Sequence, residues 1–289
     1  MPIFYLFLAM LFSALVTVGS QLYNDKNPGV ANITRLYSLL CTLSGTILWL
    51  VLWLADFSFD AKVLPYAVLY SITFSFFTFG TLGAVKNGPT SLTALIKQVS
   101  LVCVAFWGFA FWGTQFTIVS GLGIVLLGIS LCLCLLVKEE KASATNMKKF
   151  LFYCGILAVG NAGCAIIQYY QQLVFNYQHR NMFMFFAFAF SSLLCLLLTL
   201  RENKANWKST IKRSWLFPAL SGGGGALSIL FMLLLVKLNM SPVILYPGVA
   251  VGGLLITILF SVFLFREKLR PQQWLGLFIG AISLVLLNL

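Results

Sequence analysis

Apolar runs of about twenty residues follow one another along nearly the whole of this 289-residue chain, separated by short polar connections. A helix needs roughly 20 mostly apolar residues to cross the ~30 Å hydrocarbon core of a bilayer. Ten such runs lie at about 2–22, 33–55, 64–85, 90–112, 116–137, 149–175, 181–200, 214–237, 242–265 and 271–288. Composition agrees: 60% of residues are hydrophobic and 9% charged, against roughly 25% charged in an ordinary soluble domain. The alternating segments of a transmembrane barrel are absent, which leaves helices as the way to satisfy every backbone group inside lipid. The expected fold is an all-α polytopic membrane protein with ten transmembrane helices and almost no residues left for a soluble domain.

The first run is a mature helix rather than a secretory signal. No basic residue precedes it, and Ser13, Thr17 and Gln21 recur every four residues as one polar stripe. The seven cysteines all fall within apolar runs, where they act as small buried hydrophobes, so neither a disulfide framework nor a metal site is expected, and no cofactor. A net charge of +12 could suggest a nucleic-acid partner, but orientation explains it better. Loops 1–2, 3–4, 5–6, 7–8 and 9–10 with their helix ends carry fifteen Lys and Arg, whereas the other side carries Lys62, Arg180 and Lys237. The positive-inside rule then places both termini outside, in a multi-pass protein of a bacterial inner (plasma) membrane.

The polar connection from Lys138 to Lys149 divides the ten runs into two sets of five, residues 1–141 and 142–289. An odd number per half inserts the second half upside down. Lys86-Asn87-Gly88-Pro89 opens the fourth run, and Lys237-Leu238-Asn239-Met240-Ser241-Pro242 opens the ninth, about half a chain later. Pro commonly begins helices, yet the recurrence fits two inverted five-helix repeats, which put a site near the midplane between them.

Lys97 is the one charged residue lying well inside an apolar run. An ammonium at the bilayer centre costs roughly 2.5–3.5 kcal/mol on insertion scales, so such a residue usually faces a wet cavity, a partner or a substrate. Thr90, Thr93, Lys97 and Ser100 share a face of the fourth helix, with Gln98 adjacent, and Asn161, Cys164, Gln168 and Gln171 share one on the sixth. These polar stripes line a cavity or tie helices together. Lys97 reads three ways: an anchor for an anionic group, a proton-coupling site, or a side chain snorkelling to the interface. Gly222 to Gly225 open the eighth run and allow close helix packing, and Tyr246-Pro247-Gly248 sets a phenol beside a break in the ninth. The candidate binding residues are Lys97, Gln98, Thr93, Asn161, Gln168, Tyr246 and Thr17.

The ten runs in two halves, the passage Leu238–Pro247, and Phe265-Arg266-Glu267-Lys268-Leu269-Arg270-Pro271 followed by Gln273-Trp274-Leu275-Gly276 resemble the drug/metabolite transporter superfamily, EamA-like branch. In the first half, Trp112-Gly113-Thr114-Gln115-Phe116 lacks the corresponding Glu. The resemblance implies a central cavity lined mainly by helices 1, 3, 4, 6, 8 and 9, and transport of small metabolites by alternating access. With no acid inside an apolar run, an anionic or zwitterionic solute held at Lys97 is the favoured cargo. The alternatives are a broad-specificity exporter of amino acids or drugs, or a non-transport membrane protein such as a lipid scramblase. An enzyme is not expected, because the single His, His179, lies in a connection. The expected partners are a small-molecule substrate and the lipid bilayer. The chain is read as a monomer or homodimer, with Gly276 and Gly280 on the last helix able to support a dimer face.

Overall fold

The elements follow the apolar runs. The structure, a computed structural model, describes residues 2–27, 33–87, 96–97, 100, 103–104, 106–108, 110–113, 117–135, 147–200, 207–265 and 271–287. Helices α1 (Pro2–Lys26), α2 (Ile33–Ala55) and α3 (Leu64–Asn87) come first. The described residues of 96–111 are helical and form α4. Then follow α5 (Ile118–Leu135), α6 (Met147–Val174), α7 (Arg180–Leu200), the short α8 (Trp207–Ser214), α9 (Leu216–Lys237), α10 (Pro242–Phe265) and α11 (Pro271–Leu287).

Local chemistry sets several boundaries. Asp60 caps a 3₁₀ turn, Ala61–Val63, by accepting from the Lys62 amide at 2.9 Å, and this turn leads into α3. Asn176, Tyr177 and His179 reverse the chain between α6 and α7 in the left-handed region, with φ of 48°, 63° and 55°. Asn239 at φ 59° ends the turn after α9, and Pro242 then occupies the first position of α10, where its missing N–H is harmless. Six described spans are long and apolar enough to cross a membrane: Pro2–Ser20, Arg35–Ala55, Ala61–Thr81, Lys148–Val174, Arg180–Leu200 and Leu216–Lys237. They make the chain an all-α integral membrane protein.

The eighth run departs from expectation. Instead of one helix over 214–237, the polar octet Trp207–Ser214 forms its own turn pair, and α9 starts after Trp215. Thr210 and Ser214 face inward, and Ser214 Oγ accepts from Asn27 at 3.0 Å, pinning α8 to the end of α1. Lys208, Lys212 and Arg213 face outward. The glycines therefore lie inside α9 rather than at its opening. A Cβ at Gly222 would run into the Cys41 carbonyl and Ser44 Oγ of α2, and one at Gly224 would lie 3.2 Å from the Phe12 carbonyl of α1. Removing those side chains lets three helices approach at backbone distance.

The principal partners come from opposite halves of the sequence. α1 packs on α9 and α10, α2 on α7 and α9, α3 on α6 and α7, and α5 on α11. At α5 and α11, Ser130 Oγ donates to the Gly276 carbonyl at 2.6 Å, and a Cβ on Gly280 would press on Ser130 and Val251. The two glycines considered for a dimer face thus meet their own chain. Between α3 and α6, a Cβ at Gly160 would collide with Phe77 N and the Thr73 carbonyl, so these helices touch near their middles.

The two ends of the bundle differ in charge. Arg35 in the first turn of α2 lies with Leu198 and Thr199 at the end of α7, while Asn27 and Lys26 meet Ser214 and Phe217. Phe79 in the second half of α3 stacks edge-on with Tyr153 near the start of α6, just over one turn from Lys148 and Lys149. The described residues at this end include Lys26, Arg35, Lys148, Lys149, Lys208, Lys212 and Arg213. The opposite end carries Lys62, Arg180 and Lys237.

Candidate functional site

Lys97 enters the structure at the level where α3, α4 and α6 meet. Asn161, midway along α6, donates its Nδ2 to the Lys97 carbonyl and to Ser100 Oγ, both at 2.8 Å. The Ser100 hydroxyl donates in turn to the Lys97 carbonyl at 2.7 Å. Asn161 spends both amide protons on α4, so its role here is to hold the Lys97 turn, leaving its carbonyl oxygen as the end that can accept. The partly buried ammonium of Lys97 lies 5.5 Å from the centroid of the Phe77 ring, over its face. A π face partly replaces lost hydration, and it leaves the formal charge uncompensated. Among the described residues Lys97 makes no ion pair. Asp56, for comparison, lies at the far end of α2, within 3.5 Å of Asn181 Nδ2.

One to two turns further along α6, toward the end away from the lysines, the space closes. Tyr246, fully buried, donates its hydroxyl to the Ala165 carbonyl at 2.9 Å. Its ring meets Tyr169 edge-on at 6.5 Å, and Tyr169 lies 4.2 Å from the Trp112 ring of the chain just beyond α4. Leu6 and Ala9 of α1, Val104 of α4, Met232 and Leu235 of α9, and Leu245 and Val249 of α10 fill the same cluster. This plug joins five helices.

Gln168 and Gln172 lie buried beside it. Gln172 donates its Nε2 to Gln171 Oε1, and Gln171 reaches the Gln178 carbonyl at 3.4 Å. Among the described residues Gln168 Nε2 and Gln172 Oε1 find no hydrogen-bond partner, although Gln168 is only 3% exposed. A buried amide left unpaired costs roughly 1–3 kcal/mol.

Of the seven residues singled out from sequence, Lys97 and Asn161 are brought into one cluster, and Tyr246 and Gln168 lie above it along α6. Thr93 and Gln98 lie outside the described residues, and Thr17 lies in α1 with its side chain outside them. Its stripe neighbour Ser13 faces α10, where a Cβ on Gly253 would lie 3.2 Å from Ser13 Oγ. Phe77, Trp112 and Tyr169 were not singled out. Among 27 Phe no local signal marks Phe77, whereas Tyr169 directly follows Gln168 on the polar stripe.

No protein-family model and no curated protein matches this sequence. Among solved structures, the chain is similar to one described only as a crystal structure of a protein, with a TM-score of 0.72 and 12% sequence identity. The match covers 98% of this chain and 94% of that one. At that identity the likeness speaks for a shared fold over the whole length. Fold and site together define an all-α integral membrane protein with a cationic side chain held at mid-height in its bundle.

Proposed function

We propose that this protein is a membrane transporter that moves a small organic metabolite bearing a carboxylate or phosphate, with Lys97 as the anchor for that group. The observation that carries the reading is the Lys97 ammonium at the middle of α6, faced by Phe77 and supplied with no carboxylate among the described residues. A charge kept at that depth against a cost of roughly 2.5–3.5 kcal/mol is a functional group by default. Neutralisation by the cargo removes the cost when the site is occupied.

The pairing of elements supports the two inverted halves. Exchanging α1, α2, α3, α4 and α5 for α6, α7, α9, α10 and α11 turns the α1–α9 contact into α6–α3 and α2–α9 into α7–α3. It returns α2–α7 and α5–α11 to themselves, and it turns α1–α10 into α6–α4, the pair joined by Asn161 and Lys97. α1 ends at the lysine-rich end and α6 begins there, so the exchanged halves run in opposite directions. That is the arrangement of transporters whose site lies between inverted repeats. In this reading the molecule belongs with the EamA-like drug/metabolite transporters, the lysine-rich end is cytoplasmic, and the Tyr246 plug is the outer gate in its closed position.

Thermal unfolding of the purified protein, measured with carboxylated, phosphorylated, cationic and neutral metabolites, tests it. A ligand of the native state raises the apparent Tm. The expected result is stabilisation of the wild type by anionic compounds, lost in Lys97→Ala and partly kept in Lys97→Arg. Stabilisation by cationic or neutral compounds alone, or equally in Lys97→Ala, overturns the anion assignment.

A further inference from the structure

The ring that faces Lys97 is positioned as firmly as the lysine itself. α3 and α6 approach closely along a seam of glycines. A Cβ at Gly80 would strike the Leu157 backbone, one at Gly83 the Tyr153 ring, one at Gly160 the Phe77 amide and one at Gly163 the Thr73 side chain. Thr73 Oγ1 also lies 3.3 Å from Cys164 Sγ across the same seam. Phe77 sits in the middle of this contact, so its backbone is fixed against α6. The residue after Gly160 is Asn161, whose amide grips the Lys97 carbonyl at 2.8 Å. Two successive residues of α6 thus place both the ring and the lysine turn, with the ammonium 5.5 Å from the ring centroid.

Among the described residues that ring is the one partner of the Lys97 ammonium. A π face attracts a bare cation through the ring quadrupole, and the attraction grows as water is removed. Once an anion pairs with the ammonium, the ring faces a neutral pair and its attraction falls. Phe77 therefore stabilises the empty site more than the occupied one, and the difference is subtracted from the affinity of Lys97 for an anion. A carrier gains from that subtraction. An unopposed lysine in a low dielectric holds an anion strongly, whereas a site that passes its cargo on must also let it go.

We infer that Phe77 is the resting partner of Lys97: the cargo anion takes the ammonium from the ring on binding, the ring takes it back on release, and Phe77 thereby sets how weakly the anion is held. This rests on Lys97 being the anion anchor. Phe77 acts through the lysine rather than on the cargo, so it is a positioning residue. Its mark is a dependence on the electron density of the ring, which a merely space-filling side chain would not show.

The test uses full-length protein in detergent with mono-, di- and trifluorinated phenylalanine in place of Phe77, which weaken the π face stepwise at nearly constant shape. Thermal unfolding is followed in dose series of succinate and of inorganic phosphate at constant ionic strength, for each protein and for its Lys97→Ala counterpart. Without anion, fluorination is expected to lower Tm stepwise when Lys97 is present and to have less effect in Lys97→Ala. With anion, the apparent Kd is expected to fall stepwise, by about three- to tenfold in total at the trifluorinated ring. Equal Tm shifts in the two backgrounds overturn the inference. A Kd that depends on Lys97 yet stays flat along the series, or rises along it, also overturns the role of Phe77 and leaves the anion anchor standing. Wild-type protein with no Lys97-dependent response to either anion overturns the role of Phe77 together with the anchor on which it rests.

Discussion

Asn161 and Tyr246 both act on backbone carbonyls, and this decides what their loss should do. Asn161→Ala removes two neutral hydrogen bonds and is expected to lower unfolding free energy by about 1–2 kcal/mol. It should also weaken stabilisation by an anionic ligand while leaving Lys97 in place, because the turn that aims the lysine is no longer held. Denaturant unfolding with and without ligand separates the two effects; a loss of stability with undiminished ligand response would make Asn161 purely architectural. Tyr246→Phe keeps the ring in the plug and loses only the bond to Ala165, about 1 kcal/mol, whereas Tyr246→Ala empties a fully buried aromatic site at about 3–5 kcal/mol. The sequence stripes put Lys97 and Asn161 on inward faces, since spacing alone fixes a helix face. They were silent on Asn161 gripping the Lys97 carbonyl, because that bond depends on the axial offset of α4 against α6, which no local pattern encodes.

Among the elements, α9 shows how finely glycine is placed. Gly222 meets the Cys41 carbonyl and Ser44 of α2, while its neighbour Gly223 has nothing within 4 Å of an added Cβ. Gly222→Ala should therefore force α2 and α9 apart and cost about 1–3 kcal/mol, and Gly223→Ala should be neutral or stabilising by up to about 1 kcal/mol through helix propensity. The same contrast holds on α6, where a Cβ added at Gly160 meets the backbone of α3 and one added at Gly155 meets nothing within 4 Å among the described residues. Thermal unfolding of the four alanine variants checks both pairs; equal effects within a pair would mean that close approach is not what these glycines supply. The run of four glycines was visible in the sequence as a packing signal, but its partners were not, being set by helices some 180 residues earlier. α8 was missed for another reason. Eight residues of mixed polarity beside an apolar run look like a loop until Asn27 supplies the partner that orders Ser214.

Taken whole, the bundle is packed solid around Tyr246, on the side of Asn161 away from the lysine-rich end. A single cysteine at Lys97, in a background cleared of the seven natural cysteines, is expected to resist a membrane-impermeant thiol reagent applied from the Lys62, Arg180 and Lys237 side. Labelling from that side at the rate of an open loop would mean the plug does not close the path. Six of the apolar runs were legible as helices able to cross a membrane, because bilayer thickness imposes their length, and the all-α membrane class follows from them. Which helix lies beside which was not legible, since lipid-facing and helix-facing surfaces are equally apolar here. The partnership of α1 with α9, α2 with α7, α3 with α6 and α5 with α11 also sets a timetable for biogenesis. When the ribosome has finished the first five helices, the surfaces meant for α6, α7, α9 and α11 have nothing to bind, and Lys97 is in the membrane before Asn161 exists. Until translation has passed α9, those surfaces can meet only lipid, another chain or the insertion machinery, so the order of synthesis delays the final packing of the first half to nearly the end of the chain.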